Sequence, residues 1–230
     1  MRFDPLPEDV QPRVPIEGYP NTVRRNPRQA PFRRPLTRSE LTGPVDLSPR
    51  LHPGDDDLAR LSPGRCAIGQ LIRVSGRVTD EDGCGVAGAV VELWQANAAG
   101  RYAHPIDGRD APLDPDFVGN GRTRTDAAGR YTFFTIKPGA YPVPDSGRWW
   151  RPPHIHFSVL GPACLSRLVT QMYFPGDPLN AHDRLLNSVA DAAARESLVA
   201  RQLPPFEVEG EWLGFVHDLV LRGRNATPVL

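Results

Sequence analysis

His154 and His156 flank a single isoleucine in the run Trp150-Arg151-Pro152-Pro153-His154-Ile155-His156-Phe157. Residues two apart on a strand point to the same face, so both imidazoles would project together. Such a pair is a two-nitrogen platform for Fe, Cu or Zn. Two histidines sharing a strand face are as often plain polar surface, but Pro152 and Pro153 pin the strand entry and the flanking aromatics point to burial. A carboxylate or third histidine would ordinarily complete such a site, yet the chain has no H-E-x-x-H and no evident facial carboxylate. Tyrosine is scarce, with five in 230 residues, and two stand in loops at strand ends, where functional side chains concentrate. Tyr102 lies in Gly100-Arg101-Tyr102-Ala103-His104, and Tyr141 in Lys137-Pro138-Gly139-Ala140-Tyr141-Pro142. A lone loop tyrosine usually packs with its hydroxyl satisfied. Two of them with the histidine pair make a different set. A phenolate is a hard anionic oxygen with a free pKa of about 10, so it stays ionised only beside a strongly polarising cation. Non-haem Fe(III) meets that need, whereas Zn or Cu more often recruits nitrogen and sulfur.

The elements that must hold these residues read as short strands. Ile72, Val74 and Val78 alternate with Arg73, Ser75, Arg77 and Thr79, a period of two. Glu81-Asp82-Gly83 makes a turn, and Ala89 to Trp94 forms the next strand. Arg122 to Thr125, the turn Asp126-Ala127-Ala128-Gly129, and Arg130 to Ile136 read as a hairpin. Further strands are expected over His154–Leu160, Arg167–Phe174 and Phe215–Leu221. One helical stretch, rich in Ala, Arg and Leu, is expected near the C-terminal part, at about Ser188 to Gln202. Seven or so short strands punctuated by Gly and Pro predict an all-β fold, a β-sandwich of mostly antiparallel strands, over 67–230. Residues 1–66 read as an extended arm. Pro5, Pro7, Pro12, Pro15, Pro20, Pro27, Pro31 and Pro35 exclude a long helix there.

Composition narrows the function classes. Lys+Arg and Asp+Glu balance at 27 each, so neither nucleic acid nor an anionic membrane is an expected partner. Arg24, Arg25, Arg28, Arg33, Arg34 and Arg38 fall between Tyr19 and Glu40 with no acid among them, which suits a segment laid on a partner's acidic surface. A nucleic-acid arm would interleave aromatics and lysines, and the chain's sole lysine is Lys137. Cys66, Cys84 and Cys164 are odd in number and far apart, which argues against a disulfide framework and a thiolate metal site. With no apolar run after a basic stretch at the start, the expected location is the cytoplasm.

Several motifs in order resemble the intradiol ring-cleavage dioxygenases, and the resemblance spans nearly the whole chain. They are Val91-Glu92-Leu93-Trp94-Gln95-Ala96-Asn97, Gly100-Arg101-Tyr102, Ala111-Pro112-Leu113-Asp114-Pro115, Thr135-Ile136-Lys137-Pro138-Gly139, Trp150-Arg151-Pro152, His154-Ile155-His156-Phe157, and Tyr173-Phe174 with Gly176-Asp177-Pro178-Leu179. The resemblance implies cleavage of a catechol by dioxygen at a non-haem Fe(III) held by Tyr102, Tyr141, His154 and His156. Tyr141 would be the axial, displaceable phenolate. Arg151 would lie beside the bound catecholate with Gln171 as a polar partner. Asp107 would receive the displaced tyrosine, and Tyr19 in the arm would contact substrate. The Pro-rich arm cannot build the helical dimerisation domain of the catechol branch, which favours the protocatechuate branch. There a homologous, ligand-less α subunit pairs with the iron-bearing chain in a hetero-oligomer. One departure is Val143, where that branch carries a tryptophan, and the smaller side chain would open the pocket.

Two alternatives stand beside this reading. One is an intradiol dioxygenase for hydroxyquinol, gallate or plain catechol. The other is a metal-free, transthyretin-like β-sandwich binding module, which explains the strands from Ile68 to Ile136 but not the convergence of Tyr102, Tyr141, His154 and His156 with Arg151.

Overall fold

The computed structural model describes residues 10–12, 16, 19, 29, 51–61, 63–161, 167–208 and 210–230. Most of the Pro/Arg-rich arm expected over 1–66, including its six arginines, lies outside the described residues, as does Cys164.

Eleven strands are described, β1 (Leu71–Thr79), β2 (Val90–Gln95), β3 (Asn120–Arg124), β4 (Arg130–Ile136), β5 (Tyr141–Pro142), β6 (Trp150–Arg151), β7 (His154–Leu160), β8 (Leu168–Tyr173), β9 (Arg201–Gln202), β10 (Leu213–Val216) and β11 (Leu219–Val220). One sheet runs β11-β1-β10-β9 with β4 also paired to β1, the other runs β3-β2-β7-β8, and β5 and β6 form a separate ribbon. Pairing is antiparallel except where β10 and β11 run parallel to β1. The chain is all-β, as its patterning predicts.

The core lies between the two sheets. Ile72, Val74 and Val78 of β1 and Tyr131 and Phe133 of β4 face Leu93, Ile155, Phe157, Val159 and Met172. Tyr131, Phe133 and Phe157 meet as tilted or edge-on rings 5.9 to 6.4 Å apart, a favourable arrangement of aromatic quadrupoles. Because strand side chains alternate, packing Ile155, Phe157 and Val159 inward turns His154, His156 and Ser158 to the outer face. Loops bury that face. Leu58 and Ala59 belong to the same core, and Leu58 donates its N–H to the Phe134 carbonyl at 2.8 Å.

Three expectations change. Residues 122–136 are not a hairpin, because β3 pairs β2 in one sheet while β4 pairs β1 in the other. Thr125 turns this corner, its hydroxyl donating to the Val86 carbonyl at 2.7 Å and accepting from Ala89 N–H at 2.9 Å. The helix shortens to α1 (Ala192–Glu196), N-capped by the Asp191 side chain. Beyond it the backbone is taken by β8: Tyr173 donates to the Leu198 carbonyl and accepts from Ala200 N–H, so sheet-edge pairing overrides helix propensity. The strand expected over Phe215–Leu221 breaks at His217 and Asp218, where Asp218 Oδ1 accepts Arg77 N–H at 2.8 Å. Among the described residues no helix is long and apolar enough to cross a membrane.

Candidate metal centre

Strand register sets the two histidines. On β7, His154 stands opposite Tyr173, and His156 stands between Trp94 of β2 and Gln171 of β8. Trp94 stacks on the His156 ring at 4.8 Å and 4°, and the two imidazoles are 5.0 Å apart. The Pro152 carbonyl lies 2.7 Å from His154 Nδ1. A carbonyl only accepts, so Nδ1 carries the proton and Nε2 keeps its lone pair for a ligand.

The tyrosines arrive on two loops that are locked together. Asn97 Oδ1 accepts from Ala99 and Arg101 N–H, and its backbone carbonyl accepts from Gly100 and Gly139 N–H. Both glycines are required there. A Cβ on Gly100, at φ 77°, would meet the Ala140 carbonyl oxygen at 2.3 Å, and one on Gly139 would meet that of Ala98 at 2.3 Å. The result sets the Tyr102 and Tyr141 rings edge-on at 5.7 Å. The Tyr102 hydroxyl lies 3.0 Å from His156 Nε2, and the Tyr141 hydroxyl lies 3.3 Å from His154 Nε2. Two oxygens and two nitrogens thus converge.

Arg151 is buried beside them. Its Nε donates to Asp183 at 2.7 Å, and Nη2 donates to Gln171 Oε1 at 2.5 Å and to the Tyr173 hydroxyl at 3.0 Å. Burial opposes the guanidinium charge, but Tyr173 and Asp183 outweigh it and raise the pKa further. Burial, then the Arg151 charge, depresses both imidazoles, His156 to about 3, so both are neutral donors. Burial also pushes both phenols up, with Tyr141 reinforcing the rise at Tyr102. On the protein's own groups the four donors are neutral, and a hard cation among them is what would ionise the phenols. Among the described residues no cluster of three or more His, Cys, Asp or Glu is placed to hold a metal, and the oxygens that stand beside the two imidazoles are those of the phenols. The donor set fits ferric iron on that chemistry.

The remaining expected residues fall around this centre. Asp107 accepts the Tyr102 backbone N–H at 2.8 Å and a two-point ion pair from Arg109, so it orients Tyr102. Burial works against the Asp107 charge, but Arg109 and that N–H win and hold its pKa at about 2. The Arg109 guanidinium lies 4.2 Å from the Tyr141 ring centroid. Tyr19 packs edge-on to Trp149 at 5.4 Å. Val143 is buried in a cluster with Trp149, Ile16 and Leu185, against which Tyr19 also packs. Sequence reasoning missed Asp183, Arg109 and Trp149. Tyr173 and Trp94 enter the sequence reading only within motifs and strand runs, although Tyr173 follows Gln171 by two and shares its face.

A family model described as Dioxygenase matches residues 41–223. The chain is 48% identical over 213 residues to the protocatechuate 3,4-dioxygenase beta chain of Burkholderia cepacia, covering 92% of this chain and 90% of that one. It is 38% identical over 144 residues to the 6-chlorohydroxyquinol 1,2-dioxygenase of Cupriavidus pinatubonensis, 58% of this chain and 48% of that one. The solved structure of an Acinetobacter catechol 1,2-dioxygenase, inhibited by bound mercury, superposes with a TM-score of 0.54 at 28% identity, covering 74% of this chain and 58% of that one. With similarity running the length of the beta chain and the family match enclosing every donor of the centre, this chain belongs to the intradiol ring-cleavage dioxygenases, enzymes that open a catechol between its two hydroxyl carbons.

Proposed function

We propose that the chain cleaves protocatechuate (3,4-dihydroxybenzoate) with dioxygen to 3-carboxy-cis,cis-muconate, using ferric iron held by Tyr102, Tyr141, His154 and His156. The observation that carries it is the pairing of phenol oxygens with imidazole nitrogens at 3.0 and 3.3 Å beside a buried arginine. Full-length similarity to a beta chain named for protocatechuate favours that substrate over hydroxyquinol or plain catechol. Ferric iron would supply Lewis acidity and keep both phenols ionised. Neutral His154 and His156 give nitrogen donors without adding charge. Tyr141, as a phenolate, is the group positioned to accept a catechol proton, and Tyr102 is held in place through its backbone by Asp107. Arg151, its orientation fixed by Asp183, Gln171 and Tyr173, sets a positive charge where charge develops on the ring.

The test is the visible spectrum of the iron-loaded protein before and after anaerobic addition of protocatechuate. A broad tyrosinate-to-iron(III) band that shifts on addition is expected, and a colourless protein holding stoichiometric ferric iron would rule out the tyrosine ligands. Tyr102→Phe and His156→Ala are expected to lose iron or colour, while Tyr141→Phe keeps iron and turns over slowly. We further read the chain as a cytoplasmic subunit that pairs with a homologous α chain, which co-purification with a second chain of similar size would test. The free thiols of Cys66 and Cys84 suit a reducing compartment.

A further inference from the structure

The loop that follows Tyr102 inverts the usual pattern of burial. The side chains of Asp107 and Arg109 are 9% and 19% exposed, while Ile106 beside them is 87% exposed. Gly108 and Asp110 are exposed as well, so the two residues turned inward are the ion pair. Drawing two charges out of water and leaving an isoleucine in it runs against the hydrophobic effect. The segment is therefore not arranged for core packing. What the pair gains by facing inward is contact with both phenols.

Asp107 reaches one phenol and Arg109 the other. Asp107 Oδ2 accepts the Tyr102 N–H at 2.8 Å and also accepts from Arg109 Nη2. Its Oδ1 accepts from Arg109 N–H at 3.2 Å and from Arg109 Nε at 2.7 Å. Both carboxylate oxygens are engaged, and a planar fork bound at two points has a fixed direction. That direction lays the guanidinium carbon 4.2 Å from the Tyr141 ring centroid. The hydroxyl of the same ring lies 3.3 Å from His154 Nε2, so the arginine touches the ring and leaves the oxygen to the centre. Among the described residues no such cation lies over the Tyr102 ring.

We propose that Arg109 is a positioning residue that, aimed by Asp107, holds the Tyr141 ring toward the centre and draws electron density from its phenolate, so that the two tyrosine ligands are electronically unlike. This rests on the ferric-iron reading given above. A cation over a ring face is attracted by its π electrons, and more strongly when the ring carries negative charge. Tyr141 is then the poorer electron donor of the pair, and Tyr102 the better one.

The experiment records the tyrosinate-to-iron(III) band of the iron-loaded protein without substrate, at matched iron content. The energy of that band is the cost of moving an electron from phenolate to iron, and a cation lying on the ring raises it. Arg109→Met keeps bulk against the ring and removes the charge, so the band is expected to move to longer wavelength. Arg109→Lys, which keeps the charge but not the fork, is expected to move it less. Placed on Tyr141→Phe, Arg109→Met is expected to leave the remaining band unmoved, because the phenolate it acts on is gone. A band that stays put or moves to shorter wavelength in Arg109→Met, or that moves equally in Arg109→Met and Arg109→Lys, overturns the proposal. So does a shift that persists on Tyr141→Phe, since it places the effect on Tyr102 through Asp107. Should Arg109→Met not fold, Arg109→Gln decides on the same criteria. A wild-type iron-loaded protein with no such band sinks the tyrosinate-ligand reading itself, and this assignment with it.

Discussion

Arg151 shows how much a single side chain depends on partners that local sequence does not announce. Its side chain is 3% exposed and its Asp183 partner 0%, so the pair is fully out of water. Removing one member of such a pair strands the other charge, which typically costs about 3–5 kcal/mol. Asp183→Asn is therefore expected to lower the denaturation midpoint markedly, and an unchanged midpoint would show that Arg151 finds another anion. Arg151→Lys tests direction instead of charge. One ammonium on a flexible stem cannot hold Asp183, Gln171 and Tyr173 in a planar fork, so kcat/KM is expected to fall at least about tenfold at constant iron content. Equal kcat/KM would remove Arg151 from the mechanism. The donors of this centre were legible in the sequence: the H-x-H spacing is local, and the scarcity of tyrosine makes Tyr102 and Tyr141 conspicuous. Asp183 was not, because nothing around it marks a partner 32 residues back along the chain.

At the level of elements, the centre depends on two loops being held by one asparagine. Asn97 is buried, caps its own turn, and through its carbonyl binds the loop of Tyr141 as well as that of Tyr102. Gly139 sits at the contact, and its substitution by alanine would push backbone against backbone with no flexible side chain to give way. Gly139→Ala is expected to move Tyr141 off its line to His154, lowering iron occupancy and the intensity of the visible band. Full occupancy with an unaltered band would show that the loop relaxes without moving the phenol. Element type was legible where periodicity spoke, as in β1, where alternate residues are buried, and in His154–Leu160, whose bounds match β7. It failed where partner choice decided. Nothing in Asp126-Ala127-Ala128-Gly129 tells a hairpin from a corner between sheets, since both need the same turn. The helix expected to Gln202 was cut short because residues beyond Ser197 find backbone partners on β8.

At the level of the whole molecule, the face of β7 that carries the centre is held rigid by what its other face packs against. Phe157, between the two histidines and the following core residues, meets Tyr131 from the opposite sheet and His217 from the break between β10 and β11. His217 is buried, neither ring nitrogen has a hydrogen-bond partner among the described residues, and burial alone lowers its pKa from 6.5 to about 4. Around it stand the Phe157 ring, the Tyr131 hydroxyl, which donates to the His217 carbonyl at 2.5 Å, and Asp218, whose carboxylate is taken by Arg77 N–H. The unfolded chain binds a proton at this position below pH 6.5 while the folded protein resists it until about 4, so this contribution to stability is complete above 6.5 and is lost as pH falls toward 4. Replacing the ring by an apolar group removes that dependence. His217→Leu is expected to unfold in urea with a stability that, relative to wild type, improves by roughly 2–3 kcal/mol between pH 7.5 and pH 4, even where it is less stable at neutral pH through imperfect packing. A difference between the two proteins that stays constant across that range would mean that His217 takes up its proton equally well in both states, and that the junction between the sheets is open to water.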